Sequence, residues 1–310
     1  MTESDNKKIL VLLDAHAVLH RAFHALPDFT SPSGEPTGAL YGFTSFLLKT
    51  IKDLKPDYIA ACYDLPEPTF RHAAYDGYKA KRPKMDDALA TQINRSCDIL
   101  KSFSIPVYDS PGFEADDVLG TITENLKSQI SNLKIIVASG DMDTLQLVKG
   151  DDVVVYTLSK GIKETVIYNE EKVYERFGFG PELVPDFKAL KGDPSDNITG
   201  VLGIGDKTAS ILIKKFGPIE NLYKEIKDGG KNLLKEKISQ RIINLLKENE
   251  EEAQFSKTLA EIRKDAPIDF SLDSCLWRKK FNLDTAKSLL GELGFRTLSE
   301  RLSDYNGMLE

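Results

Sequence analysis

Cysteine is scarce: three residues in 310, Cys62, Cys97 and Cys275. Their spacing fits no metal motif, and an odd, scattered set makes no disulfide framework. A reducing, cytoplasmic compartment is therefore expected. Long apolar runs are missing too. The run Ile9 to Leu13 stops at Asp14, too short for a signal peptide or a membrane span, and no later run is long enough to cross. No membrane contact is expected. Internal repeats and low-complexity tracts are lacking, which excludes a repeat array. Positive charge is in deficit, with 41 Lys and Arg against 48 Asp and Glu and a net charge of −7. Bulk charge thus argues against a general nucleic-acid binder, and distribution must decide. Hydrophobic content of 41% supports real cores, and the length suits two domains or one large domain with an appendage.

Carboxylates, by contrast, stand at telling places. Pro111-Gly112-Phe113-Glu114-Ala115-Asp116-Asp117-Val118-Leu119-Gly120 puts three acids within four residues. A short apolar run, residues 105–108, precedes them, and a helical pattern (Val118, Leu119, Ile122, Leu126, Ile130) follows. Acids in a first helical turn suit the helix dipole. The dipole does not account for three at once, because like charges this close repel and raise one another's pKa. A cation between them does.

Other apolar runs end the same way. Residues 8–13 read as a strand buried on both faces and close on Asp14. Residues 57–63 make a second strand, closed by Asp64, and residues 105–108 a third, leading to Glu114. A fourth, residues 134–138, runs into Ser139-Gly140-Asp141-Met142-Asp143. Helical patterns at about 16–25 and at 38–54 lie between. The expected class is α/β, with a mostly parallel central sheet flanked by helices. Ligands in open sheets of this kind bind beyond the carboxyl ends of the strands. One acid there is more often a turn residue or a cap. Asp14, Asp64, Glu114 and Asp141 together, with Asp116, Asp117 and Asp143 beside them, reverse that reading. Oxygen ligands without His or Cys select Mg²⁺ or Mn²⁺ over Zn²⁺. Room for two ions suits phosphodiester hydrolysis, one ion generating hydroxide and both stabilising the in-line displacement.

Residues 69–84 hold Arg71, Lys79, Lys81, Arg82 and Lys84 against one Asp, with aromatics interleaved. A solvated helix face is the ordinary reading of such a run. Here it leaves the same sheet edge as Asp64, where cations can hold a phosphate and aromatics can stack on an unpaired base. Residues 153–156 and 165–168 suggest a hairpin, and beyond a boundary near Gly180-Pro181 the composition turns helical. Asp193 and Asp196 open a stretch that runs through Gly203-Ile204-Gly205 into a helix from about 207 to 216. Gly-x-Gly alone marks a turn. Flanked by Lys207 and Thr208, it reads as a sequence-independent clamp, its amides meeting a DNA phosphate at a helix N-terminus. Trp277 and the run 289–295 are expected in the core, without a function.

Taken together, these stretches resemble the 5′ nuclease domain at the N-terminus of bacterial DNA polymerase I, within the flap endonuclease family. The resemblance rests on Arg21-Ala22-Phe23-His24-Ala25-Leu26, on Gly34-Glu35-Pro36-Thr37-Gly38, and on Phe70-Arg71 through Tyr78-Lys79 to Arg82-Pro83. It rests also on Gly112 to Leu119, Gly140-Asp141-x-Asp143, Gly192-Asp193-Pro194-Ser195-Asp196-Asn197 and Gly203-Ile204-Gly205-Asp206-Lys207-Thr208-Ala209. It spans about residues 8 to 300. It implies a nuclease core over 1–180, with a helical arch at about 66–90. It implies a helical DNA-binding region over 181–310, with a helix-two-turn-helix element at about 186–217. By the same resemblance Asp14, Asp64, Glu114 and Asp116 form a first metal cluster. Asp141, Asp143, Asp193 and Asp196 form a second, with Asp117 between. Lys79 and Arg82 match residues that steer the scissile phosphate, flanked by Arg71 and Tyr78. Residues 200–216 match the element that grips duplex DNA, where the family also holds K⁺ on backbone carbonyls.

The implied activity is cleavage of 5′ flaps near the duplex junction and degradation from 5′ ends, in replication and repair. A 5′-phosphate and a 3′-hydroxyl are left. The implied partners are DNA with a 5′ flap, nick or 5′ end, and a polymerase, fused or cooperating; a monomer at the bacterial nucleoid is expected. Departures are Ala15-His16 for a common Gly-Ser, Met142 for a frequent Lys, and Thr199 and Leu202 for frequent Pro. None removes a carboxylate. A free-standing nuclease and a fragment of a longer polymerase both fit. Two other readings stay open. A non-catalytic DNA-junction binder with the same fold should lack some of the acids. An acid-lined ribonuclease on a related sheet leaves the basic run and the glycine clamp unexplained.

Overall fold

Strand β1 (Lys8–Asp14) is buried from Leu10 onward, as its unbroken apolar run requires. In the computed structural model, which describes residues 7–160 and 164–303, it pairs in parallel with β2 (Tyr58–Cys62) and β4 (Leu133–Ala138). A two-residue β3 (Val107–Tyr108) extends one side and β5 (Val153–Lys160) the other, both parallel. The expected hairpin forms, because β6 (Glu164–Tyr168) returns antiparallel to β5. The order is β3-β2-β1-β4-β5-β6. Successive strand residues face opposite ways. Val11, Leu13, Ile59 and Ala61 join one apolar core with α1 (Ala15–Ala25), α2 (Gly38–Leu54) and α4 (Asp87–Ser102). Leu10, Leu12, Ala60 and Cys62 join another with α5 (Ala115–Gln129). The result is a three-layer α/β unit. Strand order reverses at β1, so the carboxyl ends of β1 and β4 border the crevice where such sheets bind ligands.

Downstream, α6 (Glu170–Phe177) leads to a helical unit with its own core. That core is built from α7 (Val184–Lys191), α8 (Asp206–Phe216), α9 (Ile219–Lys227), α10 (Lys231–Lys235), α11 (Gln240–Glu248) and the start of α12 (Glu250–Ala260). The expectation of one helical region over 181–310 needs correction. Residues 262–303, including α13 (Leu283–Glu292) and α14 (Arg296–Ser303), pack back on the α/β unit. Trp277 is 1% exposed and donates its Nε1–H to the Pro56 carbonyl at 3.2 Å. Leu290, Leu298 and Leu302 bury their helix stripe in the core of α1 and α2. A helical pattern tells that a segment coils, not which core it joins.

The expected helical arch over 66–90 also differs. It is a five-residue helix, α3 (Phe70–Ala74), followed by turns through Lys81 and then by α4. Lys79 has φ 54 and Pro83 follows, and neither continues a helix. The turns are docked on the loop after α7. Lys79 N–H donates to the Asp196 carbonyl at 2.9 Å, and Asn197 Nδ2 donates to the Gly77 carbonyl at 2.7 Å.

Candidate active site

Asp14 ends β1 and caps α1. Its Oδ1 accepts from Ala17 N–H at 3.0 Å, and its Oδ2 from Ser139 Oγ, just past β4, at 2.5 Å. Asp64 follows β2, and its Oδ1 accepts from Ala115 N–H at 2.7 Å at the start of α5. Asp116 lies one residue further on. Asp141 donates its N–H to Ser139 Oγ at 2.9 Å, and its Oδ1 accepts from Asp143 N–H at 2.8 Å. The strand ends therefore bring Asp14, Asp64, Asp116, Asp141 and Asp143 to the switch-point crevice. Burial pushes the Asp14 carboxyl up to about 7, against the Ser139 and Ala17 hydrogen bonds, and the charges of Asp64 and Asp141 add to the rise. Burial, with the charges of Asp14, Asp141, Asp143 and Asp64, also holds Asp116 well above the usual range.

Among the described residues, no three His, Cys, Asp or Glu side chains converge tightly enough to form a finished metal cage. The donor chemistry at the switch point nevertheless fits a hard divalent cation. Its carboxylates offer hard oxygen donors, and Asp14 and Asp116 are held near like charges with no described Lys or Arg paired to them.

The other expected ligands are arranged differently. Glu114 accepts from Lys79 Nζ at 2.5 Å, from Tyr78 OH at 3.0 Å and from Arg71 Nη1 at 3.3 Å. Asp196 accepts from Arg82 Nη2 at 2.5 Å and from Tyr78 OH at 3.1 Å. Tyr78 thus bridges two acids from two different units. Lys188 Nζ lies between Asp143 and Asp193, 2.5 Å from Asp193 Oδ2. Burial alone would raise Asp193, but Lys188 and the Ser195 hydrogen bonds bring it down to about 2. Burial lifts Asp143 to about 6 in spite of Lys188.

Two assignments need correction. Asp117, expected among the ligands, is fully buried and saturated. It receives Arg71 Nη1 at 2.7 Å, Arg71 Nη2 at 2.9 Å, Glu114 N–H at 3.0 Å and Arg263 N–H at 2.8 Å. Arg71, expected to act on substrate, is 2% exposed and also donates to the Leu259 and Glu261 carbonyls. The pair ties α3 to α5, to the end of α12 and to the segment after it. It has no free face for metal or phosphate.

Farther from the crevice, α8 starts at Gly205, its N-cap. Gly203 has φ 90, while Gly205 has an ordinary φ of −98. A Cβ built on Gly205 meets nothing within 4 Å. Gly203, Gly205 and Lys207 are exposed and Thr208 half-buried. The helix therefore presents its first amides to open space.

The model of the "5′-3′ exonuclease, N-terminal resolvase-like domain" matches residues 9–178, and that of the "5′-3′ exonuclease, C-terminal SAM fold" matches residues 179–282. The chain belongs to the 5′-3′ exonuclease family. That family consists of nucleases acting on DNA phosphodiesters. Among curated relatives, DNA polymerase I of Caldicellulosiruptor bescii is 38% identical over 295 residues, covering 94% of this chain and 33% of the relative. DNA polymerase I of Bacillus subtilis is 38% identical over 304 residues, covering 98% of this chain and 33% of the relative. The chain thus spans about a third of the length of these relatives. Among solved structures, T5 5′-exonuclease with bound divalent metal ions (zinc) superposes with a TM-score of 0.64 at 21% identity, covering 98% of this chain and 100% of that one. This likeness supports the fold.

Within this 5′-3′ exonuclease fold, three residues that shape the crevice carried no assignment in the sequence reading. Ser139 links Asp14 to Asp141. His16 accepts the Asp64 N–H on Nδ1 at 3.1 Å, and burial lowers its pKa against the opposing charge of Asp64. Lys188 is the third. Its sequence signal is a buried cation, one of two lysines on a largely apolar helix, five residues before Asp193.

Proposed function

We propose that this chain is a structure-specific 5′ nuclease that hydrolyses DNA at 5′ flaps and 5′ ends. The juxtaposition of Asp14, Asp64, Asp116 and Asp141 at the switch point, with Lys79 and Arg82 beside them on Glu114 and Asp196, carries the reading. In it the switch-point acids hold Mg²⁺ or Mn²⁺, which supplies Lewis-acid charge and an activated water. The metal-bearing T5 relative supports divalent-metal use. Lys79 and Arg82 exchange their carboxylate partners for the scissile phosphate and orient it by charge-assisted hydrogen bonds. Tyr78 keeps Glu114 and Asp196 in register while they do so. Gly203, Gly205, Lys207 and Thr208 grip the duplex backbone, with K⁺ on nearby carbonyls, and so set the distance from duplex to cut.

The chemistry is assigned to the α/β unit with residues 262–303, and the duplex grip to the helices between. All these residues come from one chain, so a monomer suffices. A polymerase, fused or cooperating, is the natural partner of such a product, and the nucleoid its place. The test is a 5′-labelled flap set beside blunt duplex and single-stranded RNA, with Mg²⁺ or chelator. Metal-dependent release of the flap near the junction, with RNA left intact, is expected. Flap binding without metal-dependent cleavage would instead mark a junction binder.

A further inference from the structure

We propose that Lys188 is a built-in counter-ion that occupies the second acid pair, Asp143 and Asp193, and sets how tightly a divalent cation binds there. The inference rests on the nuclease reading of the crevice. Lys188 leaves α7 of the helical unit and is 8% exposed. Its ammonium meets Asp143, from the loop past β4, and Asp193, from the loop past α7. The two acids belong to different units, so one amine closes the joint between them. The switch-point acids differ. Among the described ion pairs no Lys or Arg reaches Asp14, Asp64, Asp116 or Asp141. The first group waits for a cation and the second carries its own.

An ammonium and a divalent ion cannot share the same two half-buried carboxylates without strong repulsion. A second ion must therefore displace Lys188 or bind weakly. Lys188 acts through the acids, as a positioning residue, and touches no substrate.

The experiment titrates Mn²⁺ into the full metal-free chain, without DNA, reading free Mn²⁺ by electron spin resonance and heat by calorimetry. The wild type should show one tighter and one weaker class of site. Lys188→Met should tighten the weaker class by roughly tenfold or more, the scale of removing a nearby like charge, and leave the tighter class alone. Lys188→Arg should behave as wild type. Lys188→Gln, whose amide still donates to a carboxylate, should repeat the Met result and serves where the Met variant folds poorly. Thermal melts give a second readout. The rise in Tm on adding Mn²⁺ should be larger in Lys188→Met and Lys188→Gln than in wild type. A purely structural lysine would lower Tm without enlarging that rise. A weaker class unchanged or lost in the neutral variants, with the tighter class intact, overturns the role given to Lys188. A wild type that binds no Mn²⁺ at all overturns the nuclease reading itself.

Discussion

Arg71 and Arg82 belong to one basic run and end in unlike surroundings. Arg71 is sealed against Asp117, while the Arg82 side chain stays 49% exposed on Asp196. Removing one partner of a buried ion pair strands the other charge. Arg71→Met should therefore destabilise the fold by about 3–5 kcal/mol, read as a lower denaturant midpoint. Lys79→Ala and Arg82→Ala should leave that midpoint close to wild type. They should raise the barrier to single-turnover flap cleavage by about 2–3 kcal/mol, the scale of one preorganised charge contact, with little change in flap affinity. Equal losses of affinity and rate would show that these two residues only bind DNA. At this scale the sequence displayed the charges and hid their directions. In the sequence Asp117 reads as a ligand because it adjoins Asp116. The spacing Glu114-x-x-Asp117 is also that of a capping box, in which the second side chain turns back to the first residue's amide, and the structure shows that box. Lys188 is not legible as part of the site because its acid partner Asp143 lies far away in sequence and arrives only through the fold.

The strands that end in acids were legible because each is a short apolar run with a polar stop, and burial on both faces leaves little choice of residue. β3 was harder, since its two residues form an edge and need not be apolar throughout. The basic segment took its expected helical form from resemblance, and local geometry at Lys79 and Pro83 overrode it. α8 offers the cleanest element-scale test. Gly205 has room for a methyl group and an unstrained φ. Gly205→Ala should cost less than about 1 kcal/mol of stability, the scale of a changed N-cap. It should weaken duplex binding several-fold, because the methyl stands before the free amides. Lys207→Ala should weaken binding for all sequences alike and flatten the log-log salt dependence by roughly one unit. On a duplex too short to reach α8, both defects should vanish. Defects that persist there would remove this helix from the interface.

At the scale of the whole molecule, folding gathers acids that the unfolded chain keeps apart, in a protein already at net charge −7. Asp14 has an ordinary value of 3.8 and rises to about 7 in the fold, chiefly through burial. Between roughly pH 4 and 7 the folded state then holds a proton that the unfolded state has lost, so stability falls as pH rises through that window. Asp143, lifted to about 6, acts in the same direction over a shorter span. Asp193, down at about 2, acts in the opposite direction only near the unfolded value of 3.8, and above about pH 5 it is ionised in both states and contributes no slope. In chelator, the wild-type melting temperature should therefore drop between about pH 5 and about pH 7. Mg²⁺ should offset most of that drop, because an ion that binds only the folded state stabilises it by mass action. Asp116→Asn keeps the shape, removes one of the crowded charges and loses an oxygen ligand. Without metal it should melt at or above the wild-type temperature. With Mg²⁺ it should gain less, and its flap cleavage should fall by orders of magnitude, since the ion it helps to hold activates water. Melts across pH with and without Mg²⁺, beside single-turnover cleavage, test these effects together. An Asp116→Asn protein that melts lower in chelator would show that the crowding is not a cost. One that cleaves near the wild-type rate would remove Asp116 from the metal site.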